Sequence, residues 1–444
     1  MIRERSRCLR ALVASFVLAV GASACAQGFA VATWNMNWLM DASAHARWIA
    51  ACERAGWAAG EAPPGLPFCD VHNGMTFPPD ACASDRDNWP RATRYPDDHP
   101  CRETQDLSQP ARYARKLDAL RAMWARLDAM GVRLVALQEV FDAGAVRAIL
   151  PPHWSVATTR ELPGAPAIAQ HVGIAWRRSA DVRGLELVAS LADSGLADRP
   201  LRPGLAFTVD VGGKPVRALV VHLKAGCRSR DLDTPITARD AMLNDARQDA
   251  ITADCALLRY QLPSLEAWID ANAARDFAVM GDFNRTILRE PVAESPTYRT
   301  RLDGTSAADP LGRCTIERQG ARVNVRCDTR TRAMFPELND NDPPGAVLWR
   351  ARFADQGRSG AIPKGSSGDC SIAGARADLA HDGIDHILIS ESLKKRLAPS
   401  ALTMRAVNYV NDADQALRGG RDVALPSDHC PHVVTWTPLR GPSP

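Results

Sequence analysis

The chain has 444 residues, 46% hydrophobic and 24% charged, enough apolar material for one large α/β domain or two to three small ones. Its formal charge of +3 excludes one line of inference, because residues 1–26 carry four Arg and one Glu, and removing them from 54 basic and 51 acidic residues leaves fifty of each. No global polycation remains to hold nucleic acid or an anionic membrane, so an anionic substrate must be held by local groups.

In chain order, Arg3, Arg5, Arg7 and Arg10 precede the apolar run "ALVASFVLAVGA", and small residues follow in "ASACAQ". That order predicts a secretory signal peptide over 1–26, and the run is too short for a transmembrane segment. Cleavage after Ala24 or Ala26 fits. Lipoprotein anchoring at Cys25 fits less well, because Ala22 stands where a large aliphatic residue is needed. The expected address is periplasmic or secreted. Ten cysteines remain in residues 27–444, an even number that suggests a disulfide framework in an exported chain. No C-x-x-C pair is present, so the usual spacing of a structural zinc site is missing.

Short apolar runs ending in polar residues predict buried strands: "FAVATWN" (29–35), "RLVALQE" (133–139), "HVGIAWR" (171–177), "RALVVHL" (217–223), "FAVMGDFN" (277–284), "IDHILIS" (384–390) and "HVVTW" (432–436). Between them, residues 110–131 open with Pro, close with Gly and place Leu117, Leu120, Trp124 and Leu127 at helical spacing. A second helical tract over about 238–273 contains Pro263, a kink or break. Helices around sheets predict an α/β sandwich in a single domain over 27–444. Insertions at about 41–109 and 285–380, and a short segment at 408–426, show little periodicity.

Polar residues cluster where the predicted strands end. Asn35 and Asn37 follow the first, Glu139 the second, His222 the "VVHLK" strand, and Asp282 and Asn284 the "MGDFN" strand; Asp385 opens "DHILIS", and Asp428 and His429 precede the last. Taken singly, each has a bland reading as a turn or cap residue. Together they describe a site built on a rigid sheet.

In order, "TWNMNWL", "LVALQEV", "VVHLKAG", "VMGDFNR", "IDHILIS" and "LPSDHCPHV" resemble the endonuclease/exonuclease/phosphatase superfamily, with its deoxyribonuclease I-like fold, across residues 29–437. The resemblance implies a four-layered αββα sandwich and a hydrolase that cleaves phosphoric esters with a divalent metal, Mg²⁺ or Mn²⁺ in its place. It implies Glu139 as principal metal ligand, with Asn35 and Asp428 beside it as ligands or through water. Asn37 stands where some members carry Asp, which speaks against a second metal. Asp282 would orient or deprotonate the attacking water, Asn284 would donate to a phosphate oxygen, and Asp385 would hold the ring of His429. His222 matches the second histidine of the nuclease-like branch. Lys224, Arg228 and Arg285 are candidates for substrate phosphate, against the default of solvated cations.

The expected activity is an exported, metal-dependent nuclease acting on DNA, with RNA as a further substrate, working as a monomer without an obligate protein partner. Two alternatives are a sphingomyelinase-like phospholipid phosphodiesterase, which would need an apolar membrane-contact hairpin, and a catalytically silent binding module on the same fold. "ELNDNDPPG" (337–345) has the oxygens for a structural Ca²⁺ but not the spacing of an EF-hand, and reads as a turn. The expected disulfides are Cys227–Cys255, Cys314–Cys327 and Cys370–Cys430. His386 and His432 are expected to be structural, and Trp154 and Trp176 to pack in the core.

Overall fold

The structure, a computed structural model, describes residues 28–56, 65–67, 69, 110–194, 201–227, 230, 232, 245–287, 290, 314–319, 322–327, 333–353, 383–407, 427 and 429–439. The predicted signal peptide, Asp428, Arg228, Cys370 and the segment 408–426 lie outside them.

Two sheets face each other. Across the first lie β12 (Arg352–Phe353), β14 (Thr403–Ala406), β15 (His432–Trp436), β1 (Phe29–Leu39), β2 (Val132–Val140), β4 (His171–Arg177) and β3 (Trp154–Thr158). Across the second lie β11 (Leu348–Arg350), β13 (Asp385–Ser390), β8 (Phe277–Asp282), β7 (Pro215–His222), β6 (Gly204–Asp210) and β5 (Val182–Val188). A separate hairpin pairs β9 (Cys314–Gln319) with β10 (Arg322–Cys327), and its register sets Cys314 opposite Cys327.

Alternation along a strand feeds two cores at once. Val31 of β1 joins Leu134, Ile174, Phe207, Val220, Met280 and Ile387 between the sheets. The next residue, Ala32, turns to the outer face, where Trp34, Val135 and Leu137 meet the helices α1 (Ala42–Arg54) and α2 (Pro110–Ala129) through Trp48, Leu120, Trp124 and Leu127. Trp124 stacks on Trp34 with ring centroids 5.9 Å apart and meets Trp154 edge-on at 5.1 Å. On the far side, Leu219, Val221, Phe277 and Val279 pack against Leu258, Leu265 and Ile269 of α4 (Asp245–Asn272). Shorter helices are α3 (Ala143–Arg147), α5 (Met334–Leu338) and α6 (Glu391–Arg396). The layers are therefore helix, sheet, sheet, helix: the expected four-layered αββα sandwich.

Several sequence expectations change. Helix α1 occupies part of the first insertion, where little periodicity was expected; Asp41 caps it through Ala44 N–H, and Ala44, His45, Trp48 and Cys52 face inward. Its Cys52 is bonded to Cys69. Pro263 does not break α4, which runs through it. Part of the second insertion builds α5 and β11, the edge strand of the second sheet. "ELNDNDPPG" is a turn whose Asp340, Asn341 and Asn339 side chains accept from the amides of Asp342, Gly345 and Leu348. The Cys227–Cys255 disulfide is present, and Cys430 is disulfide-bonded.

Candidate active site

Strand direction brings the polar residues to one end of the sandwich. β1 runs parallel to β2 and β7 parallel to β8, so Asn35, Glu139, His222 and Asp282 all sit at C-terminal ends. β13 runs antiparallel to β8 with Asp385 opposite Asp282, and β15 runs antiparallel to β1 with His432 opposite Thr33, so His429 arrives at the same end. Gly281 explains the glycine of "MGDFN". Its φ is +144°, and a Cβ there would lie 2.0 Å from the Val221 carbonyl oxygen, so only glycine lets β7 and β8 approach beside Asp282.

Asn35 bridges the sheets. Its Nδ2 donates to Glu139 Oε1 at 3.1 Å and to Asp282 Oδ2 at 3.0 Å, while its Oδ1 accepts the Asn37 amide at 2.9 Å. That orientation makes Asn35 a donor to two carboxylates, with its oxygen turned to its own backbone. Asp282 Oδ1 accepts the Asn284 amide at 2.7 Å, and Asn284 Nδ2 donates to the Leu223 carbonyl at 2.9 Å.

His429 and Asp385 form a buried pair, Nδ1 to Oδ2 at 2.6 Å, with the ring's Nε2 3.9 Å from Asp282 Oδ2. Burial works to raise Asp385, but the charge and hydrogen bond of His429 hold it below the usual carboxylate range. Burial, followed by the charge of Asp385, pushes Asp282 above that range. The two carboxylates are thus pushed apart, Asp385 below and Asp282 above the usual range. Ser427 holds the pair in place, donating to the Asn35 carbonyl at 2.7 Å and accepting the His429 amide at 3.1 Å.

His222 Nε2 lies 3.8 Å from Glu139 Oε1 and 3.6 Å from Asp282 Oδ2. Burial first, then the nearby Arg202, lowers its pKa well below the ordinary value, so these are approaches of a neutral ring and not ion pairs. Arg202 was not singled out in the sequence. Its guanidinium donates to the carbonyls of His222 and Leu223 and to Gln170 Oε1, and its charge faces Glu139 and Asp282. It precedes β6, a strand without a clear sequence signal, and so had no place beside the motifs.

Two candidate phosphate contacts are engaged by protein partners, although the charge of Lys224 still reaches His222. Lys224 Nζ is 2.5 Å from Asp254 on α4 and donates to its neighbour's carbonyl. Arg285 is 3% exposed; it pairs with Glu290 and donates to the carbonyls of Cys227 and Arg230, tying together the loops after β7 and β8. The expected structural roles read directly: His386 Nε2 meets the Arg285 carbonyl at 2.8 Å and His432 Nδ1 the Asp385 carbonyl at 3.1 Å. Trp154 is 4% exposed and Trp176 packs against the inter-sheet core. Trp349 is 38% exposed on β11, with the Lys394 ammonium over its ring.

The donor set suits a hard divalent cation. Glu139 and Asp282 lie 3.8 and 3.6 Å from the same His222 nitrogen, and burial, then the charge of Asp385, raises Asp282. Among the described residues, Asp282, Asp385 and His429 bring one ligand atom each to within 4.8 Å of one another. His429 Nδ1 is already engaged by Asp385, and the Glu139 carboxylate stands outside that pair.

No family model and no curated protein matches the sequence. Solved structures that it resembles include a humanized D. rerio TDP2 (TM-score 0.39, 11% identity, covering 92% of this chain and 98% of that one). ANGEL2, a 2′,3′-cyclic phosphatase, resembles it at TM-score 0.38 and 13% identity, covering 92% and 95%. An endonuclease/exonuclease/phosphatase family protein from Bacteroides thetaiotaomicron does so at 0.36 and 12%, covering 74% and 92%. At TM-scores of this size the likeness carries no weight for chemistry, which rests on the side chains themselves.

Proposed function

We propose that this chain is an exported, divalent-metal-dependent phosphodiesterase of the endonuclease/exonuclease/phosphatase type, hydrolysing DNA and also RNA by in-line attack of water on phosphorus. The observation that carries this reading is the buried His429–Asp385 pair, 2.6 Å apart, facing Asp282 across 3.9 Å. One site thereby holds a proton acceptor and a separately held imidazole. Asp282, raised by burial and by Asp385, takes the proton of the attacking water. His429, its ring fixed through Nδ1, presents Nε2 to the phosphate or to the leaving oxygen. Neutral His222 presents Nε2 as a donor, and Asn284 keeps its second amide hydrogen for a phosphate oxygen. Glu139, with Asp428, would hold Mg²⁺ or Mn²⁺, which supplies charge stabilisation of the transition state. Asn35 orients Glu139 and Asp282.

The fifty-to-fifty balance of charges after residue 26 leaves attraction of a polyanion to this local site, with Arg202 beside it. The test offers the purified oxidised protein and Mg²⁺ to plasmid DNA, RNA, sphingomyelin and a simple phosphomonoester. Relaxation and linearisation of the plasmid, absent in Glu139→Ala and His429→Ala, is the expected result. Supercoiled plasmid surviving while the lipid is hydrolysed would sink the nuclease reading.

A further inference from the structure

We propose that Lys116 is a positioning residue for the metal-holding carboxylate of Glu139, acting through Asn37 and Asn35; this rests on the metal site proposed above. Between Asn35 and Leu39, β1 leaves its ladder with β2: the pairing passes from Asn35–Gln138 to Leu39–Val140, so β1 spends two more residues than its partner. Inside that bulge Asn37 and Trp38 have φ of +47° and +59°, and Glu139 opposite has +55°. Two successive left-handed residues with side chains, and a third across the ladder, persist only where the surroundings hold them.

Helix α2 supplies the hold. Lys116, 5% exposed, donates its ammonium to the Asn37 carbonyl. One turn earlier, Tyr113 Oη accepts the Met40 amide at 2.6 Å and donates to the Met40 carbonyl at 2.7 Å. One helix face thus grips the bulge at its middle and just past its end. The held Asn37 turns its amide onto Asn35 Oδ1 at 2.9 Å, and that bond decides the amide orientation that sends Asn35 Nδ2 to Glu139 and Asp282. A buried ammonium is a poor choice for packing alone, since an apolar side chain of the same length would fill the space without desolvating a charge. Its presence at the back of the site is explained by what it holds.

The test compares full-length oxidised wild type with Lys116→Met and Lys116→Arg. Hydrogen exchange of the segment 35–40, measured without metal or substrate, is expected to rise at least about tenfold in Lys116→Met relative to the segment 432–436, and to return near wild type in Lys116→Arg. Mn²⁺ titration is expected to show affinity weakened roughly 10–100-fold in Lys116→Met, the usual effect of losing a group that orients metal ligands. Unchanged exchange at 35–40, or unchanged Mn²⁺ affinity with a merely lowered melting temperature, overturns the proposal. If Lys116→Met does not fold, Lys116→Gln is read the same way. Wild type that binds Mn²⁺ but cleaves no phosphodiester refutes the proposed function and leaves the clamp standing. Wild type that binds no Mn²⁺ refutes both.

Discussion

His429 and Asp385 act as a unit, so removing either should cost turnover without costing the fold. His429→Ala and Asp385→Asn are each expected to lower kcat roughly 10²–10⁴-fold on a small phosphodiester. The double variant should be little worse than the worse single, as groups in one proton path are non-additive. Steady-state kinetics with thermal melts as the control checks both. Gly281 is the opposite case, a residue with no chemistry whose replacement breaks geometry. Gly281→Ala meets the Val221 carbonyl at 2.0 Å and an unfavourable φ, so it should destabilise by at least about 2 kcal/mol in urea unfolding. A neutral Gly281→Ala would mean that β7 and β8 do not approach as described.

At the scale of elements, the turn before β4 carries a pH dependence. His171 is buried with its Nδ1 3.0 Å from Thr159 Oγ1 and its Nε2 3.0 Å from the Ile168 carbonyl. Burial, followed by the charge of Arg160, lowers its pKa from 6.5 to about 4. The unfolded chain therefore takes the proton first as pH falls. This contribution is complete above pH 6.5 and is lost between about 6.5 and 4, by on the order of 3 kcal/mol. Urea midpoints should fall more steeply over that window in wild type than in His171→Gln; parallel curves would refute the assignment. The Cys227–Cys255 staple joins the loop after β7 to α4 across a sequence separation of 28. Replacing both cysteines with serine should cost about 2–4 kcal/mol, measurable by denaturation with and without reductant.

For the whole molecule, the metal is the test of assembly, because the candidate site draws on both sheets and exists only when the sandwich is closed. A cation that binds the native chain and not the unfolded one stabilises by about 2.7 kcal/mol at one hundred times its dissociation constant. Mg²⁺ should therefore raise the melting temperature by several degrees, and chelation should abolish turnover and return the melt to its metal-free value. Glu139→Gln should remove the Mg²⁺-dependent shift. A shift that survives Glu139→Gln would place the cation elsewhere.

Most of the buried strands were legible in the sequence as apolar runs: His171–Arg177 and His432–Trp436 match their predicted ranges to the residue, while the buried β6 went unread. The motif residues at strand ends were legible for the same reason, since a charged side chain closing an apolar run has few structural excuses. Strands such as β5, whose middle residues are exposed, carried no such contrast and went unread. The sequence by itself determined the layers and named Asn35, Glu139, His222, Asp282, Asn284, Asp385 and His429. Only the tertiary structure decided that Arg285 and Lys224 are tied to their neighbours, that Arg202 faces the carboxylates, and that Asn35 turns its nitrogen inward. Most of those outcomes are set by partners on other elements or by a backbone bulge, and sequence periodicity carries information about faces, not about which distant group a polar atom will meet. That is why "SDHCPH" could announce His429 as a candidate, and only the register of β13 on β8 could seat Asp385 behind its ring.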